Sequence, residues 1–129
     1  MKAKLISTEG TYLEAILEIN GLQYCVMDEI TSNAETMPRI GEVFEFEFSN
    51  VINDEESWDS IFRSNPEKKK CIEKIKGWEY RALGEIISIN PVKVDCGLLI
   101  EENVIYTKDP KVIGEFIGFT INTLSGYPI

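Results

Sequence analysis

Apolar residues recur at every second position through most of the chain, which predicts strands with one buried and one solvated face. Over residues 11–19, Leu13, Ala15, Leu17 and Ile19 hold one parity, while Glu14 and Glu18 take the other. Asn20-Gly21 comes next, two residues that tolerate the positive φ of a type I′ hairpin turn. Such a turn fixes the register of the following strand, residues 22–28. It sets Ile19 opposite Leu22, Leu17 opposite Tyr24 and Ala15 opposite Val26 on the apolar face. The other face pairs Glu18 with Gln23, Ile16 with Cys25 and Glu14 with Met27.

Residues 29–41 are a polar connection ending in Pro38-Arg39-Ile40-Gly41. The run Glu42-Val43-Phe44-Glu45-Phe46-Glu47-Phe48 then puts three phenylalanines on one strand face and Glu45 and Glu47 on the other. Residues 78–90 and 92–100 form a pair turning at Asn90-Pro91, with Val92, Val94, Cys96, Leu98 and Ile100 alternating on one face. A last strand over 112–124 places Ile113, Ile117, Phe119 and Ile121 together. Gly114, Phe116 and Gly118 lie on its other side, where glycines mark a bend or a close backbone approach.

Between the phenylalanine strand and Trp78 the period changes. Asn53 or Asp54 is placed to cap a short helix with Trp58, Ile61 and Phe62 as its apolar stripe. A second helix is expected after Ser64 or Asn65, with Pro66 and Glu67 in its first turn, Ile72 and Ile75 inward and Gly77 as its C-terminal cap. Six or seven strands with one helical insertion around 54–76 read as a mainly β chain. Closure would remove the exposed edges of an open sheet, which predicts a small antiparallel Greek-key β-barrel in a single domain over 1–129. In outline it is similar to an OB-fold, which also carries a helix between strands.

A chain of 129 residues buries about two-thirds of its unfolded surface, so it has no need of disulfides. Cys25, Cys71 and Cys96 are odd in number and widely spaced, as in a reducing, cytoplasmic setting. The N-terminal apolar step breaks at Ser7-Thr8-Glu9, and no run approaches the roughly 20 apolar residues of a membrane helix. Net charge is -9, unevenly spread: residues 1–59 hold 13 acidic and 3 basic side chains, whereas residues 60–81 hold 3 acidic and 7 basic.

Histidine is absent, which removes Ser-His-Asp and Cys-His chemistry in its usual form. Neither phosphate-cradling glycine signature is present. Glu45 and Glu47 sit about 7 Å apart along a strand, a spacing that would suit a pair of hydrolytic carboxylates but equally arises on any solvated face. Asp54-Glu55-Glu56 fits helix capping better than a metal loop. Cys96 shares parity with Val92 and Val94, and an apolar setting makes a thiol inert.

The phenylalanine stripe could stack bases, but no Lys or Arg stands between Arg39 and Arg63 and the flanking glutamates would repel phosphate. The stripe is therefore assigned to the core. Lys68, Lys69, Lys70, Lys74 and Lys76, with Arg63 nearby, form a basic island diluted by Glu67 and Glu73. These patterns predict a non-catalytic interaction protein whose partner is another protein, without cofactor, metal, nucleic acid or membrane. Glu45, Glu47, Lys68, Lys69, Lys70 and Lys74 are its candidate partner surface. An immunity-type inhibitor of a basic toxin is an alternative suggested by size and acidity, and a hydrolase using Glu45 and Glu47 is another.

Overall fold

The Asn20-Gly21 turn forms as its composition requires, with φ of 52° and 80° at the two residues. In the computed structural model, which describes residues 1–129, it joins β2 (Glu14–Ile19) to β3 (Leu22–Asp28). Every pair expected across it is present, from Ile19 opposite Leu22 to Glu14 opposite Met27. β2 begins later than the alternation suggests. Tyr12 takes a φ of 64° and its amide donates to the Asp28 carbonyl at 2.7 Å, so Leu13 sits in a turn and is exposed.

β1 (Lys2–Thr8) precedes this hairpin and β4 (Val43–Phe48) follows it. Next come β5 (Val51–Ile52), α1 (Trp58–Arg63), β6 (Cys71–Lys76), β7 (Glu79–Ile89), β8 (Val92–Asp95) and β9 (Ile100–Glu102). A 3-10 turn (Pro110–Val112), β10 (Phe116–Thr123) and β11 (Ser125–Pro128) complete the chain. These eleven strands belong to two compact units. The first comprises Met1–Val51, Lys76–Trp78 and Asn122–Ile129, and the second comprises Ile52–Ile75 and Glu79–Ile121.

The first unit is a closed five-strand barrel in the order β1-β2-β3-β11-β4, with β4 returning to β1. β11 runs parallel to β3 and antiparallel to β4. Ala3, Leu5, Ala15, Leu17, Val26, Phe46 and Leu124 are buried in it, with Ala15, Leu17, Val26 and Phe46 on the face their alternation assigns. Of the three phenylalanines of β4, Phe46 is fully buried while Phe44 and Phe48 are half-buried. Asp28 is also buried. Its carboxylate accepts from the Thr8 hydroxyl and, at 2.8 Å each, from the amide and hydroxyl of Thr31, which supplies the hydrogen bonds a buried carboxylate requires.

The second unit is built on a curled half-barrel sheet in the order β5-β10-β7-β8-β9, with β6 also on β7. Large faces small across β10 and β7: Phe119 opposes Ala82 and Ile117 opposes Gly84. β7 and β8 turn at Asn90-Pro91 as expected. Beyond Gly97, whose φ is 79°, the parity changes. The Cys96 amide donates to the Leu99 carbonyl at 2.9 Å, closing a two-residue hairpin in which Leu99 is buried and Ile100 exposed.

The helical insertion over 54–76 is corrected in its second half. Only α1 is helical, and residues 71–76 are the strand β6. Asn65 is not a helix cap: its side chain accepts from the Lys69 amide at 2.8 Å and donates to the Lys69 carbonyl at 2.9 Å. Those bonds close residues 65–69 into a loop, and the φ of 56° at Lys68 breaks any helix there. Ile72 and Ile75 are β-branched and belong to β6, which pairs with β7, and Ile75 is exposed rather than inward. Gly77 takes its φ of 54° in the tight turn from β6 to β7 rather than at a helix end. The last strand is also shorter than expected, because Pro110–Val112 form a 3-10 turn and leave Ile113 exposed.

Candidate functional site

In the second unit the chain leaving β5 is fixed by local side-chain caps. The Asn53 carboxamide accepts from the Glu55 amide at 2.8 Å, and the Ser57 hydroxyl accepts from the Ser60 amide at 3.1 Å. Ser57, rather than Asn53 or Asp54, is thus the N-cap of α1. One helical turn apart, Trp58 and Phe62 bring their rings to 5.9 Å, while Ile61 between them is buried. Trp58 keeps 49% of its surface in solvent.

The segment after β9 supplies the opposite wall. Asn103 has a φ of 62°, Ile105 turns inward and Tyr106 is left 79% exposed. Asn53, Asp54, Glu56, Trp58, Ile61 and residues 103–106 together line an open cleft of about 510 Å³. Its floor is apolar, its rims are aromatic and the charges lining it are acidic.

Glu56 is held within the second unit by two bonds, and a third ties its two partners together. Arg81 Nη1 lies 2.8 Å from its Oε2, the Thr120 amide donates to Oε1 at 2.7 Å, and Arg81 also reaches the Thr120 hydroxyl at 3.0 Å. Burial pushes the Glu56 carboxyl up, but the hydrogen bonds from Arg81 and Thr120 outweigh it and hold the group below its ordinary value of 4.5. A depressed folded-state value contributes stability above the unfolded value, and this is lost as pH falls through the folded one. Acid unfolding should therefore include a component that begins below about pH 4.5. Glu56→Gln should remove that component and cost about 1–2 kcal/mol at neutral pH, as read from urea melts across pH. An unchanged pH profile would show that the pair contributes nothing. Asp54, Glu55 and Asp59 make no ion pair, and their charge stays open to solvent.

Glu45 and Glu47 lie in the first unit on the exposed face of β4. Glu45 meets the N-terminal ammonium at 3.2 Å and Glu47 accepts from the Tyr127 hydroxyl at 3.0 Å, a bond that raises the tyrosine's pKa. Lys68, Lys69, Lys70 and Lys74 lie in the second unit. Lys69 is shared by Glu67 at 3.2 Å and Glu73 at 3.8 Å, and Lys70 by Glu85 at 3.1 Å and Asp95 at 3.3 Å. Hydrogen bonding to Glu67 raises the Lys69 pKa, and hydrogen bonding to Glu85 and Asp95 raises that of Lys70. Lys68 and Lys74 carry no such partner. Two of the four lysines are thus already neutralised by carboxylates of their own unit.

No family model, curated protein or solved structure matches this chain. Cys96 is fully buried, and desolvation pushes its thiol up to about 12, far from a thiolate nucleophile. No group of three or more Cys, Asp or Glu side chains converges as a metal site, and no helix is long and apolar enough to cross a membrane. A cleft of about 550 Å³ in the first unit has Leu5, Met37, Pro38 and Ile40 on its walls and Arg39 as its one charge. The acidic stretch that ends in Asp54-Glu55-Glu56 was legible in sequence, whereas Asn103 and Tyr106 belong to an aperiodic segment that gave no signal.

Proposed function

We propose that this chain is a non-catalytic binding protein whose partner is another protein with a basic surface, engaged at the cleft beside α1. The observation that carries the reading is the exposure of Trp58 and Tyr106 on a cleft lined by Asp54 and Glu56. Large aromatics in solvent are the side chains that anchor protein interfaces, since they bury much area at little entropic cost. The unpaired carboxylate of Asp54 beside them complements a basic partner and speeds its encounter. Polyanions are disfavoured there for the same reason, and no histidine is present to supply the commonest general base.

Two narrower readings belong with this one. Five strands closed by a late strand parallel to β3 accord with the Greek-key barrel similar to an OB-fold. An immunity-type inhibitor of a basic toxin is the form of binding protein that acidity favours, and three cysteines without a disulfide suit a reducing cytoplasm.

The test compares two variants of equal charge. Retention on an immobilised arginine- and lysine-rich protein at low salt should fall at least tenfold for Asp54→Asn/Asp59→Asn, and little for Glu45→Gln/Glu47→Gln. Equal losses would reduce the interaction to net charge and defeat the proposal. So would substrate turnover in a hydrolase panel that a single carboxylate substitution abolishes.

A further inference from the structure

We infer that the cleft beside α1 is a receptor for one arginine side chain of the partner, an inference that rests on the protein-binding reading above. A long basic side chain presents an apolar stem and a charged head, and the cleft offers surfaces for both. Ile61 and Ile105, buried at 4% and 6% exposure, with Val104 form the apolar lining that a methylene stem would cover. Trp58 and Tyr106 offer exposed ring faces for a cation.

The head group is specified by what is already engaged. Glu56 is taken by the chain's own Arg81 and by the Thr120 amide, so it forms a fixed part of the wall. Asp54 is exposed, makes no ion pair, and is the lining carboxylate left for a ligand. A planar guanidinium can stack on an aromatic face while its N–H groups meet a carboxylate two at a time, which an ammonium cannot do. No basic side chain lines the cleft, so nothing competes for these groups. Its volume of about 510 Å³ falls in the range of roughly 300–1,000 Å³ usual for ligand sites.

Trp58 is itself the reporter. The full chain is titrated with acetyl-Gly-Arg-Gly-amide and with the same peptide carrying citrulline, which keeps the shape and loses the charge, while tryptophan emission is followed. The arginine peptide should bind at least fivefold more tightly, the emission change should vanish in Trp58→Phe, and the preference should disappear in Asp54→Asn. Trp58 and Asp54 are exposed, so both variants should keep the wild-type melting temperature. Equal binding of the two peptides, or an emission change that survives Trp58→Phe, overturns the inference. If the arginine peptide fails while the basic protein is still retained through Asp54 and Asp59, the arginine receptor falls and the protein-binding reading stands. If neither binds, both fall.

Discussion

Phe46→Ala should lower the free energy of unfolding by about 3–5 kcal/mol, as truncation of a fully buried aromatic does. Phe46 is 0% exposed on β4, the strand that closes the barrel between β1 and β11. Its ring lies 5.9 Å from that of Phe44 and 5.0 Å from that of Phe48. It also lies so close to Gly126 on β11 that a Cβ there would come within 3.1 Å of it. An alanine would leave a cavity bounded by paired strands that cannot collapse into it, so little of the loss is recovered. Against a usual total of about 5–15 kcal/mol, the urea midpoint should fall steeply. Phe44→Ala and Phe48→Ala remove half-buried rings and should cost less. An unchanged midpoint for Phe46→Ala would restore the stripe to the surface as a stacking platform.

Gly84→Ala should destabilise by about 1–3 kcal/mol, toward the upper end. A Cβ at residue 84 would stand 2.5 Å from the Asp95 carbonyl oxygen and 2.9 Å from Cys96 Sγ. The first obstacle is backbone of the neighbouring strand, so no rotamer change relieves it and β7 must part from β8. Two readouts should move together. The melting temperature should fall, and Cys96, inert to thiol reagents while buried, should become modifiable as the strands separate. Wild-type melting with a silent Cys96 would mean that the two strands do not approach as closely as described.

The parts of the fold that were legible in sequence are those in which local chemistry dictates geometry. Asn20-Gly21 admits one class of turn, so the alternation on either side of it fixed six residue pairs. The parity of Phe46, Ile117, Phe119 and Ile121 placed all four inside, because each lies within an uninterrupted strand. Where parity is reset, the reading drifts: a positive φ at Tyr12 exposed Leu13, and one at Gly97 exchanged Leu99 for Ile100.

Ile72 and Ile75, three apart, share one face of a helix, which is why the spacing points to a helix there; in the strand β6 they fall on opposite faces, and Ile75 is exposed. The Asn65 clamp on residue 69 was likewise invisible, since its bonds close a loop that has no periodicity of its own. The candidate site divides in the same way. Asp54 and Trp58 stand out as acidic and aromatic residues at a helix start, but their pairing with Asn103 and Tyr106 comes from tertiary folding of the second unit alone.

The most direct test of a basic-partner cleft beside α1 is residue-resolved: amide and indole N–H resonances of the uniformly labelled protein, followed as the arginine-bearing peptide is added. The predicted result is a saturable set of shifts confined to residues 53–61 and 103–106, with the Trp58 indole moving most. Amides of Glu45 and Glu47 and of the loop at Lys68–Lys70 should stay still. Shifts centred on β4 or on the Arg39 cleft, or small drifts spread over every acidic residue, would contradict the account.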